Sequence, residues 1–424
     1  MDDRRADALA ALSIVAIKVG AMAVVTEMGF SHVSDDDYSR TVIAQTFAHA
    51  PRLDPSGTSW LPFPFWITGG AMMVLGRSLM TARVVAWALG VLGALGPYWT
   101  LRHLQHTRML SWFAAVVCAV SPWSVWLAAA TVPEGWTGPA VACAILLATS
   151  ENRRAWLISA SLGLAAALSR YEAWPACVVL AITFLLRARR RDPLDRRALL
   201  VACVVAAFGP LAWMAWNGYA HGDPLHFFAR VSLFRQNSGS APRGVGARVS
   251  EYPFALLIQF PVAIAAVVFA VAVPKDRRSL ILPLSGATTI MAFLIAGDLS
   301  DGAPTHHPER ALGAIASVFV ALGVTRLSVL REPRNALIGL TLAMTVLWFA
   351  HPGAAPGTDE GERRDAQLAR GLALSTDPSL KLIVTPCQYE HFALIASTGT
   401  PERFDVEPLT RSPVTDDCPR LRAP

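Results

Sequence analysis

Long apolar runs recur along this chain from residue 9 to residue 351, about eleven of them, and no other feature restricts its fold so sharply. A helix needs roughly 20 apolar residues to cross a bilayer. The runs lie near 9–29, 83–101, 110–128, 136–150, 155–170, 173–187, 198–216, 254–273, 279–297, 309–325 and 335–351. Composition agrees: 53% of residues are hydrophobic, only 16% are charged, and the mean hydropathy is +0.41. These runs predict an all-α polytopic membrane protein with about eleven transmembrane helices over residues 1–351. A small extracytoplasmic α/β segment is expected over 352–424. The first run does not read as a cleavable signal, because Met1-Asp2-Asp3-Arg4-Arg5 is charge-mixed and no small-residue cleavage site follows Gly29.

Charge placement sets the expected orientation. The connections 102–108, 151–154, 187–197, 274–278 and 326–334 are rich in Arg and Lys, most of all Arg187-Ala188-Arg189-Arg190-Arg191. The positive-inside rule puts these and the N-terminus in the cytoplasm. The segments 30–82, 129–135, 217–253, 298–308 and the tail from 352 then face the other side. This topology accounts for the formal net charge of +6, which therefore gives no reason to invoke nucleic acid. The long loops gather on the extracytoplasmic face, where an active surface is expected.

Apolar runs stop at His351-Pro352-Gly353. Beyond them, Lys381-Leu382-Ile383-Val384-Thr385 reads as a strand, 388–398 as a helix, and Arg403-Phe404-Asp405-Val406 as a second strand. Cys387 and Cys418 fall in extracytoplasmic sequence, so either a disulfide or two free thiols would suit them. Cys118, Cys143, Cys177 and Cys203 fall in the spans and read as small packing residues. No phosphate loop, dinucleotide fingerprint, internal repeat or metal-ligand spacing is present in the sequence.

Three consecutive acids, Asp35-Asp36-Asp37, stand at the extracytoplasmic mouth of the first run. Apolar positions then recur at helical spacing (Tyr38, Val42, Phe47), as in a helix lying on the membrane surface with the acids at its N-terminus. Capping would explain one acid; three exceed that need. Next comes Ser59-Trp60-Leu61-Pro62-Phe63-Pro64-Phe65-Trp66, whose aromatics also fit an interfacial belt. Three further groups fall at the same depth: Glu134, the Arg170-Tyr171-Glu172 turn, and His306-His307-Pro308-Glu309-Arg310. Arg310 could face a phosphate as a bidentate donor, or simply snorkel. Arg170 could pair with Glu172 or Glu134 as structural glue. Lys18 and Glu27 lie within the first run, nine residues apart, and are poor partners on one helix.

The order of parts is more specific than any one of them: span, acid pair, amphipathic helix, Trp-x-Pro, small-residue helix, Gly-x-Ser, Arg, span. It resembles the GT-C superfamily of membrane glycosyltransferases that use polyprenyl-phosphate-linked sugars, relatives of which include protein O-mannosyltransferases and lipid A aminoarabinose transferases. The resemblance runs over roughly residues 9–351. It implies an inverting glycosyltransferase whose catalytic carboxylate comes from Asp36, Asp35 or Asp37, in that order of expectation. The family often has Asp-Glu where this chain has Asp-Asp-Asp. The His-x-Glu-x-Arg type of motif is shortened by one residue between Glu309 and Arg310. Trp60, Glu134, Arg170, Glu172, His306, His307, Glu309 and Arg310 are the implied substrate contacts. The carboxylate would take the acceptor's proton, or Asp35 and Asp36 would hold a divalent cation, Mg or Mn, against the lipid phosphate. The implied partners are a polyprenyl-phosphate sugar donor, an extracytoplasmic acceptor (protein, lipid or glycan) and the lipid bilayer. A loop like Phe234-Arg235-Gln236-Asn237-Ser238-Gly239-Ser240 reads as mobile, and in this superfamily it tends to order over substrate.

Two other classes compete. A transporter or flippase of lipid-linked glycan would show two-fold hydropathy symmetry and mid-span charges, of which only Lys18 is evident. A non-catalytic partner in envelope biogenesis would have dispensable acids.

Overall fold

The computed structural model describes residues 3–237, 243–273, 277–301, 307–330, 333–350, 361–376, 383–386 and 391–407. His306, Cys387 and Cys418 lie outside the described residues. The chain begins with α1 (Asp3–Glu27), α2 (Asp36–His49), α3 (Phe63–Leu75) and α4 (Leu79–His103). Then come α5 (Arg108–Val120), α6 (Pro122–Ala129), α7 (Glu134–Leu147), α8 (Arg153–Ala167), α9 (Ala173–Ala188) and α10 (Pro193–His221). They are followed by α11 (His226–Asn237), α12 (Val245–Gln259), α13 (Pro261–Ala272), α14 (Arg278–Leu299), a 3-10 turn at Pro308–Leu312, α15 (Gly313–Arg326) and α16 (Pro333–Ala350).

Among the described residues, five helices are long and apolar enough to cross a membrane: α1, α4, α10, α14 and the run Pro308–Val329. Two bent pairs would bring the number to seven, α5 with α6 (65°) and α12 with α13 (94°). The sequence suggests about eleven, and the difference has a physical origin. The apolar stretches 136–150, 155–170 and 173–187 fold as helices of 14, 15 and 16 residues. At 1.5 Å per residue these measure about 21–24 Å, short of a hydrocarbon core of about 30 Å. The stretch 254–273, read as one span, breaks at Phe260-Pro261, where proline cannot continue the backbone ladder.

α7 forms the centre. Its sequence is apolar nearly all round, and it is buried along almost its whole length against α4, α8 and α15. Small residues permit this: a Cβ on Gly135 would stand 2.7 Å from the Leu127 carbonyl oxygen and 2.8 Å from the Ala128 Cα of α6. That close approach seats Glu134 at the N-terminus of α7.

Lys18 resolves a backbone problem. Pro122 has no N–H, and the α5–α6 bend frees carbonyls of the last α5 turn. The Lys18 Nζ, buried, donates to Ala119 O (2.9 Å), Ser124 O (2.8 Å) and Ser124 Oγ (3.0 Å). Ser121 Oγ donates to Cys118 O at 3.3 Å. The intramembrane ammonium is thus spent on a helix break. Glu27 is exposed at the end of α1, and Cys118, Cys143 and Cys177 are buried free thiols that pack.

The C-terminal residues α17 (Gly361–Ser375), β1 (Ile383–Pro386), α18 (His391–Thr398) and β2 (Phe404–Glu407) make a small unit. β1 and β2 pair in parallel, Ile383 opposite Phe404. This unit sits on α2: Phe392, Leu394, Ile395 and Phe404 pack with Tyr38 and Val42. Gln45 Nε2 donates to Ala396 O (2.7 Å) and Arg77 O (3.0 Å), and Arg77 makes a two-pronged ion pair with Glu402 (2.7 and 2.8 Å). α2 is therefore not a helix floating on the membrane surface. Residues Asp37 to Gln45 are all buried, and the C-terminal unit covers the apolar side, Tyr38 and Val42, that periodicity assigns to the membrane. The Phe234–Asn237 stretch is likewise the end of α11, and Arg235 there is buried and paired with Asp298 at 2.6 Å.

Lys18→Met keeps an apolar stem and leaves three acceptors unmet, so a loss of about 1–3 kcal/mol is expected. Melting of the purified protein in detergent checks this; an unchanged melting temperature would separate the α5–α6 bend from the ammonium.

Candidate active site

Four chain segments bring alternating charges together at the N-terminus of α7. Glu134 Oε1 accepts from Arg310 Nε (2.9 Å) and lies 2.7 Å from Arg310 Nη2 and 3.1 Å from Arg170 Nη1. Arg170 in turn grips Glu172, Nε to Oε2 at 3.1 Å and Nη2 to Oε1. Arg310 Nη1 donates to Asp36 Oδ2 (3.1 Å) and to Ser34 Oγ (3.3 Å). The row runs Asp36, Arg310, Glu134, Arg170, Glu172. Local sequence explains each position. Pro133 starts α7 so that Glu134 meets the positive helix end. The tight turn at 308–312 follows a left-handed His307 (φ 55°) and aims Arg310 inward. Arg170 and Glu172 occupy the turn between α8 and α9.

The three adjacent acids are not equivalent. Asp37 is almost wholly buried and accepts from the backbone N–H groups of Thr131 (2.8 Å), Val33 (3.1 Å) and Ser34 (3.2 Å), with Thr131 Oγ1 at 3.4 Å. Burial pushes its carboxyl up to about 6, against the pull of those donors and of Arg310. Its oxygens pin the chain before α2 to the loop before α7. Asp35 is the N-cap residue of α2. Asp36, its side chain one-third exposed, is the acid that touches both the charge row and solvent.

The other expected residues divide. Glu134, Arg170, Glu172 and Arg310 come together. Trp60 stands nearby, with its ring under the guanidinium of Arg40 at 4.4 Å and beside Phe65 at 6.3 Å. His307 packs near Trp123, ring centroids 5.7 Å apart. Glu309 is half-buried, outside the row, with Oε2 lacking a hydrogen-bond partner. Arg40 was not singled out from sequence; its position four residues after Asp36, on a helix already recognised as such, was the available signal.

A divalent cation does not suit the acids as arranged. Asp36 Oδ2 faces a guanidinium and the Asp37 oxygens face N–H donors. Among the described residues, no three Asp, Glu, His or Cys side chains are grouped to hold an ion.

Cavities adjoin the row. One is mostly apolar, running from Glu134 past Trp123, Phe260 and Leu347. Another touches Arg170, Glu172 and Arg310. A third is lined by Arg40, Phe65 and Trp136.

No family model and no curated protein matches this chain. Solved structures do. The apo crystal structure of ArnT from Cupriavidus metallidurans aligns with a TM-score of 0.57 at 14% identity, over 96% of this chain and 88% of that one. ArnT from the same organism bound to undecaprenyl phosphate aligns at 0.50 and 15% identity, over 92% and 70%. AglB from Archaeoglobus fulgidus, an oligosaccharyltransferase in complex with an inhibitory peptide and a dolichol-phosphate, reaches only 0.47 at 13% identity, over 91% and 63%, too low to carry an argument. At these identities the likeness is one of architecture: the chain shares the fold of ArnT.

Proposed function

We propose that this protein is an inverting glycosyltransferase that moves a sugar from a polyprenyl-phosphate donor to a hydroxyl-bearing acceptor on the extracytoplasmic face. The observation that carries the reading is Asp36: a partly exposed carboxylate paired with Arg310 at 3.1 Å, at the rim of a buried charge row, in a fold shared with ArnT. That ArnT was crystallised with undecaprenyl phosphate supports the donor class.

The chemistry follows from the groups present. An acceptor hydroxyl attacks the anomeric carbon as Asp36 takes its proton, and the bond from that carbon to the phosphate oxygen breaks. The electron pair leaves with polyprenyl phosphate, whose anion needs nearby positive charge more than a proton. Arg310 orients Asp36 while Glu134 holds Arg310 in place. Glu134 and Glu172 are unsuited to be the base, since each is buried or nearly so and tied by ion pairs to buried arginines. No step here is routed through a metal ion.

Asp36→Asn is expected to lower sugar transfer from a labelled polyprenyl-phosphate sugar by about 10²–10⁴-fold while leaving the melting temperature near wild type; transfer at the wild-type rate would overturn the reading. Glu134→Gln should behave differently. It weakens the hold on two buried arginines, so a loss of stability approaching 3–5 kcal/mol is expected, read as reduced yield of folded protein and earlier melting.

A further inference from the structure

Near Asp36, one arginine is left without a carboxylate. Arg310 is held by Asp36 and Glu134, and Arg170 by Glu134 and Glu172. Arg40 is 6% exposed, and among the described residues no acid lies within ion-pair distance of it. Its Nε is buried with no hydrogen-bond partner. Its nearest support is aromatic, the Trp60 ring at 4.4 Å and the Phe65 ring at 5.9 Å from Cζ. A buried guanidinium with an unmet N–H is costly unless something binds there. Stacking on rings leaves the edge of the guanidinium free, and that edge is the part that grips an oxyanion in two-pronged fashion.

The surroundings narrow the ligand. Arg40 lines a small cavity whose walls mix apolar groups, Phe65, Leu89, Val132 and Trp136 among them, with the side chains of Thr41, Thr68 and Thr131. One cation among hydroxyls and apolar walls suits an anion carried on an apolar chain. Arg40 also follows Asp36 by four residues in α2, so the two side chains rise from one face of the helix, their Cβ atoms about 5–6 Å apart. An anion at Arg40 would sit beside the base.

We propose that Arg40, backed by Trp60, is the subsite for the phosphate of the donor lipid, a place the sequence assigns to Arg310. This rests on the transferase reading and refines it. Arg310 already holds two carboxylates, Asp36 and Glu134, whereas Arg40 holds none. It is a substrate-binding residue that also stabilises the departing phosphate.

The test measures binding rather than turnover. Full-length protein in nanodiscs is titrated with undecaprenyl phosphate, undecaprenol and inorganic phosphate. Wild type should prefer undecaprenyl phosphate over undecaprenol, and Arg40→Gln should weaken undecaprenyl phosphate by at least about tenfold while leaving undecaprenol unchanged. Arg40→Lys keeps the charge without the planar fork and should fall between them, and it serves if the Gln variant does not fold. Inorganic phosphate that binds wild type and not Arg40→Gln would support the subsite with the head group as sufficient ligand; phosphate that binds neither, with the lipid loss intact, supports it with the lipid as the source. Unchanged undecaprenyl phosphate affinity in folded Arg40→Gln or Arg40→Lys overturns the subsite and leaves the transferase reading standing. Failure of wild type to bind any undecaprenyl phosphate would instead remove the transferase reading beneath it.

Discussion

The buried carboxylate of Glu134 is the interaction on which the site depends. It lies between Arg310 and Arg170, which come from segments far apart in the chain, and its own helix is buried along most of its length. Desolvating three such groups is expensive, and Coulomb attraction offsets it only when sign and geometry match. Alternation along Asp36, Arg310, Glu134, Arg170 and Glu172 meets that condition. The consequence is mechanical as well as electrostatic. Four segments are tied by charges that tolerate little displacement, so Asp36 is presented by a rigid frame although it belongs to a loop-borne helix.

That helix is held from two other directions. Asp37 anchors its start to the loop before α7 through the Thr131 N–H and to the chain just before it through the Val33 and Ser34 N–H groups. The C-terminal unit presses on Tyr38 and Val42 and binds Gln45, and the Arg77–Glu402 pair locks the same unit to the chain leading into α4. A segment that looks like an appendage in sequence is thus part of what places Asp36. The Lys18 contacts perform a similar task in the membrane, where a helix break next to the apolar cavity has its freed carbonyls satisfied.

Much of this site could be read from the chain. The acids at the mouth of the first run, and Glu134, Arg170, Glu172 and Arg310, stand out because charge is rare in such a protein and falls at run ends. What could not be read was division of labour. Three adjacent aspartates are chemically alike until Asp37 is found with its oxygens occupied and Asp36 with one side open. Arg310 looks like a phosphate ligand until two carboxylates are found on it. Arg40 looks like an ordinary surface residue of an amphipathic helix until the helix is buried on every side. Periodicity reports one apolar face and says nothing of a partner arriving from some 350 residues later, as Ala396 does at Gln45.

Sequence alone determined that the chain is a helical membrane protein with its unusual charges gathered at one set of run ends, since hydrocarbon admits long apolar helices and penalises isolated charge wherever they occur. Tertiary structure decided which runs are long enough to span, which bend, and which of the charges pair with which. The reason is range. Burial of apolar length is a local property summed along the chain, whereas the state of a carboxylate depends on whichever donors packing brings within about 3 Å of it.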